Sequence, residues 1–164
     1  MADWREPLDE FVDLLEDVEG IGAIFNYPPD LREPEIFKKL ATSFDAETNK
    51  PIINCWFIER TGAQDFRGGE RAEVCLGQAI RLDTYRITGL YGYAKGGLTN
   101  FEFQALVERV LDTLLNNVSL GGHGGWVAKA PTLRSADLRE FGDYLSHCAE
   151  IEVVVQRFIE VTFE

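Results

Sequence analysis

Leu8, Phe11, Leu15 and Val18 recur at helical spacing with acids between them, so the chain opens on an amphipathic helix. Pro7 stands near its start, where a missing N–H costs little. The acids of this segment crowd the positive end of the helix dipole. Gly20 is expected to end the helix, and residues 21–25 to follow as a short apolar strand closed by Pro28 and Pro29. A second short helix is predicted over residues 34–44, with Pro34 in its first turn and Ile36, Phe37, Leu40 and Phe44 facing inward. Residues 45–51 have turn composition.

Residues 52–61 read as a strand with Ile53, Cys55 and Phe57 on one side and Trp56 and Ile58 on the other. Apolar residues on both faces predict a central strand covered twice. Residues 62–71 mix charges with Gly62, Gly68 and Gly69, the composition of an exposed, mobile loop. Residues 72–94 are strand-like, and Gly89 and Gly92 mark a bulge or a close backbone approach. Thr99 followed by Glu102 forms a capping box that opens the strongest helix, with Phe103, Leu106, Val107, Val110, Leu111 and Leu114 as its apolar stripe. Asn116 and Asn117 end it.

From Ala149 to Phe163 alternate residues are apolar, and Arg157 breaks the series. This is a half-buried strand whose register should be firm, because a one-residue slip would bury glutamates. No repeat, low-complexity tract or linker interrupts the chain. The pattern predicts a single α+β domain over residues 1–164, with a mixed, antiparallel-leaning sheet and helices packed on one face.

Composition fits that picture: 164 residues, 45% hydrophobic and 27% charged, suit one globular domain. The net charge of −12 argues against gripping a nucleic-acid duplex, which needs a basic stripe. Its location says more. Residues 1–20 hold eight acids and one base, residues 140–164 hold six acids and one base, and the stretch between is neutral. The plain reading is two solvated faces; the sharper one is an acidic surface turned to a partner or a lumen. Cys55, Cys75 and Cys148 are an odd set at no recognisable spacing, which suits a reducing compartment. With neither a leader pattern at the N-terminus nor an apolar run near the ~20 residues of a membrane span, the chain is expected to be soluble and made in a cytoplasm.

Candidate chemistry is thin. His123 lies between two glycine pairs, yet no G-x-S-x-G accompanies it, so it reads as a connection. His147 and Cys148 are adjacent on a strand and point to opposite faces, which separates a thiol from its base. Neither zinc spacing, G-x-G-x-x-G, a P-loop nor H-E-x-x-H occurs. Glu150 and Glu152 could pair for acid–base work, although solvating carboxylates on a strand's outer face are the plainer reading. No cofactor or metal is implied, and the residues point away from an enzyme.

In order, these features resemble the tail terminator (tail-completion) proteins of tailed bacteriophages and prophages. The N-terminal helix runs through Val18, Gly20, Gly22 and Phe25 to Tyr27, similar to the glycine-containing strand that opens that family. The stretch from Pro51 through Trp56 to Thr61 resembles its next strand. The run from Tyr85 through Gly89 and Gly92 to Tyr93, followed by a leucine-rich helix, is the most characteristic part, and His147 to Val153 resembles the family's last strand. The likeness covers most of the chain but rests on order and texture; the segments at 67–70 and 121–125 lie outside it.

The resemblance implies a virion protein at the head–tail junction that assembles as a ring, usually a hexamer. Such a ring caps the tail tube, ends polymerisation and presents a docking surface to the head. The implied partners are further copies of the chain, the major tail tube protein, a head-completion or neck protein, and the sheath protein where the tail contracts. DNA would pass through the lumen without specific binding. Ring closure needs two different complementary patches on each subunit. Arg67, Glu70, Arg71 and Lys95, on the loops at 62–71 and 94–99, are candidate subunit or partner contacts. Glu10, Asp13, Asp17, Glu150 and Glu152 are candidates for an acidic lumen or partner face. Two alternatives stay open: another neck, head-completion or tail protein of a phage, and an acidic cytosolic adaptor that recruits a basic partner.

Overall fold

A computed structural model describes residues 5–40, 43–44, 49, 51–67, 78–94, 98–119, 125–141 and 144–160. In chain order the elements are α1 (Glu6–Glu16), β1 (Ala23–Phe25), α2 (Pro34–Leu40), β2 (Ser43–Phe44), β3 (Pro51–Ile52), β4 (Asn54–Arg67), β5 (Gln78–Gly92), α3 (Leu98–Asn116), β6 (Gly125–Val127), β7 (Thr132–Phe141) and β8 (Tyr144–Glu160). The main sheet runs β1-β4-β5-β8, and both β6 and β7 pair along the far side of β8. β1 lies parallel to β4 and every other ladder is antiparallel. β2 and β3 form a separate small hairpin. The architecture is thus the α+β domain with a mixed, antiparallel-leaning sheet that the sequence predicts.

The central strands are covered on both faces. On the first face Leu8, Phe11 and Leu15 of α1 and Phe103, Leu106, Val107, Val110 and Leu114 of α3 close over Trp56, Ile58, Tyr85, Ile87 and the alternate residues Ala149 to Val155 of β8. On the second face a smaller cluster joins Ile53, Cys55, Leu90 and Cys148 to Leu40 of α2, with Phe25, Leu31 and Ile36 packed around it. The two long helices share one face, as expected, and the short α2 lies on the other. The predicted division of β4 into a Trp56/Ile58 side and a Cys55/Phe57 side holds, as does the register of β8.

Glycine sets how closely the layers approach. A Cβ on Gly89 would stand 2.6 Å from the Trp56 indole, and one on Gly92 would stand 2.7 Å from Cβ of Ile52. Both positions are therefore close approaches of the kind the sequence suggested. Gly20 takes a φ of +82°, a left-handed conformation that turns the chain from α1 into β1. The helix itself ends earlier than Gly20, at Glu16 with Asp17 as its cap.

Several expectations need correction. The second helix stops at Leu40, because Ser43 and Phe44 pair with Ile52 and Pro51 instead of continuing it. Residues 62–67 are strand, not loop: beyond a bulge at Arg60/Gly62 the ladder with β5 resumes and runs to Arg67 opposite Ala79. Their polarity signalled exposure, since Thr61 to Asp65 are all exposed, and exposure does not prevent pairing. The capping box is not formed as drawn, because the helix already begins at Leu98. Thr99 Oγ1 is buried against His147 Nε2 at 3.1 Å, and Glu102 accepts a hydrogen bond from Tyr91 Oη at 3.1 Å. β6 and β7 are additions, and β8 starts at Tyr144, ahead of the Ala149 where alternation begins.

Candidate functional site

Acids dominate the outer side of α1. Its apolar side is buried, while Glu6, Asp9, Asp13, Glu16 and the following Asp17 and Glu19 are exposed and Glu10 is half-buried. Asp9 accepts a hydrogen bond from Asn26 Nδ2 at 2.7 Å, which ties the helix to the segment after β1. No base stands in the last turn of α1, and just beyond it Arg109 Nε of α3 donates to the Glu19 carbonyl at 3.0 Å.

Glu150 and Glu152 are elsewhere. They alternate with Ile151, which packs under α3, so they face the second side of the sheet, away from α1. There they belong to an ionic lattice across the strands. Glu59 of β4 stands opposite Arg86 of β5, which stands opposite Glu152 of β8. Arg86 Nε donates to Glu59 at 2.8 Å, and Arg134, at the irregularity of β7, closes the row on Glu152. In the next row Arg139 bridges Glu150 at 2.8 Å and Asp137 at 3.0 Å. The hydrogen bond that Arg139 donates to Glu150 favours the charged form of Arg139 and raises its pKa. The candidate acids therefore lie on two separate surfaces, Glu10, Asp13 and Asp17 on α1 and its end, and Glu150 and Glu152 in the ion pairs of the sheet. Arg67 ends β4; Glu70, Arg71 and Lys95 lie outside the described residues.

A buried ionic group closes the first-face core near the long β4–β5 hairpin. Asp83, fully buried, accepts from Arg60 Nε at 2.8 Å and from Arg157 Nε at 2.5 Å. Arg157 is itself only 2% exposed. The apparent break in the β8 alternation is thus an arginine that keeps its inward place because β5 supplies a carboxylate. The signal was present: one inward arginine in an apolar series demands an acid on the neighbouring strand.

At the opposite end of the same face, α3 stops short of β7 and leaves a cavity of about 210 Å³. Tyr93, Phe103, His147 and Leu138 give it apolar walls, and Asn100 and Gln104 bring amides to it. His147 stacks on Phe103 with ring centroids 5.6 Å apart and meets Tyr93 at the same distance. Burial disfavours its charged form and lowers its pKa below the ordinary histidine value. Sequence reasoning passed over this cavity because its residues come from the chain just after β5 and from α3, β7 and β8, and β7 gives no periodic signal. Of its lining, Tyr93 and Leu138 are exposed large apolar side chains; Phe101 of α3, Leu133 of β7 and Tyr144 and Leu145 of β8 are exposed as well.

The thiols are inert by placement. Burial pushes Cys55 up to about 12 and Cys148 up to about 11. Cys75 and His123 lie outside the described residues. Among the described residues no group of three or more His, Cys, Asp or Glu is placed to hold a metal ion, and no helix is long and apolar enough to cross a membrane. What the arrangement offers is surface: an acidic helix face, an ion-paired sheet face, and an apolar edge with a cavity. No protein-family model matches the sequence, and a comparison with curated proteins finds no match either.

Proposed function

We propose that this chain is a structural protein of a tailed-bacteriophage virion. Copies assemble into a ring, six-membered as in the family it resembles, that caps the tail tube, ends its polymerisation and joins the tail to the head. The observation that carries the reading is the concentration of exposed apolar side chains around β7 and the start of α3. Exposed apolar side chains along an edge strand are costly for a solitary subunit and suit an interaction site. The sequence order of strand, glycine-rich turn and leucine-rich helix supports the same reading.

Length control on this reading is a matter of competing interfaces. One ring surface binds the end of the tube and the other offers nothing that a further tube subunit recognises. The partners are the major tail tube protein, a head-completion or neck protein, and the sheath protein where the tail contracts. The acids of α1, if turned to the lumen, repel DNA phosphates and let the genome slide through. In a direct test, purified chain is added to tail tube protein polymerising in vitro. Elongation should stop, with an added ring at tube ends in electron micrographs. Unchanged tube length at saturating chain would contradict the proposal.

A further inference from the structure

The cavity at the β7 edge has a counterpart at the other edge of the sheet. Tyr27 follows β1 directly and is 56% exposed, and its ring lies against Phe25 with centroids 5.7 Å apart. It is the one exposed large apolar side chain at the β1 edge among the described residues, whereas the exposed Tyr93 and Leu138 line the cavity at the β7 edge. Protrusion and cavity thus sit on opposite margins of one subunit. That is the arrangement a head-to-tail contact requires, and head-to-tail contacts generate rings.

Size and chemistry agree. A cavity of about 150 Å³ takes up a benzene ring, and the cavity here holds about 210 Å³, room for a phenol and too little for a cofactor-sized ligand. Phe103, His147 and Tyr93 offer ring faces and edges to an entering aromatic, and neutral His147 brings no charge to be desolvated. Asn100 and Gln104 can each donate to or accept from a buried hydroxyl. The faces match as well. Phe25, which Tyr27 packs against, belongs to the second face, and the cavity opens on the first. We propose that Tyr27 of one copy inserts into the cavity between α3 and β7 of the next, so that successive subunits overlap like shingles, second face over first. The occupant is a second copy of this chain, and the inference rests on the ring reading.

The test uses the full chain and light scattering after size exclusion, with tube ends as a second setting. Tyr27→Ala removes the protrusion and Ala136→Trp, on exposed β7, fills the cavity; both positions are exposed, so melting temperatures should match the wild type. Each variant alone should need about thirty-fold more protein to form rings, the loss typical of a central aromatic contact. Tyr27→Phe should assemble as the wild type does. An equal mixture of Tyr27→Ala and Ala136→Trp should give dimers and no rings, because one intact protrusion meets one intact cavity. Rings from Tyr27→Ala at wild-type concentration, or a mixture that stays monomeric, overturn the inference and leave the ring reading standing. A wild-type chain that is monomeric both in solution and on tube ends overturns both.

Discussion

At the scale of single residues, the fold depends on a few positions with no slack. Gly89 carries the Trp56 indole against its backbone. Gly89→Ala forces that ring out of a packed core, and a loss of about 1–3 kcal/mol is expected in denaturant unfolding. Asp83 accepts a hydrogen bond from the buried Arg157 Nε, so Asp83→Ala should cost about 3–5 kcal/mol. The paired replacement Asp83→Leu with Arg157→Met should recover most of that loss in a double-mutant cycle. His147 gives stability a pH dependence. Its folded pKa lies below the ordinary value, so below about 6.5 the unfolded imidazole binds a proton that the folded one does not. Its contribution is therefore present at neutral pH and shrinks as pH falls through that region. Unfolding curves at pH 8 and pH 5.5 should show a smaller drop for His147→Gln than for the wild type, and equal drops would contradict the assignment.

At the scale of elements, the sequence was legible wherever one face meets water and the other meets core. α1, α3 and β8 show their periods because one side of each is buried. β4 shows apolar residues on both sides because two clusters cover it. β7 left no such mark: Thr132 to Phe141 are exposed or half-buried throughout, and their strand conformation comes from pairing with β8. The outer part of β4 was hidden for the same reason, since Thr61 to Asp65 are exposed and Asp65 and Arg81 hold it across the ladder. The acids were visible by composition, but only the register of β8 sends Glu150 and Glu152 to a different face from α1. Amide exchange should reproduce this division. The amides of β5 and β8 between residues 85–91 and 147–153 should be slowest, and those of β7 and residues 61–67 at least tenfold faster. Uniform protection along β4 would contradict a hairpin that outruns its core.

For the molecule as a whole, the excess of acids is a matter of placement. The sheet-face carboxylates Glu150 and Glu152 have arginine partners, and the outer side of α1 carries the exposed Glu6, Asp9, Asp13 and Glu16. If that helix lines the channel, Asp13→Lys together with Asp17→Lys should slow DNA ejection while rings still assemble. Ejection at the normal rate from such particles would place α1 away from the lumen. In the proposed ring, the β7 edge and Tyr27 would account for assembly, and α1 for what passes through it. The central claim, that this chain ends the tail, is tested most directly by electron microscopy of particles produced without it. Tails far longer than normal and unjoined to heads are expected; tails of normal length on leaking heads would contradict termination and point to a head-side neck protein.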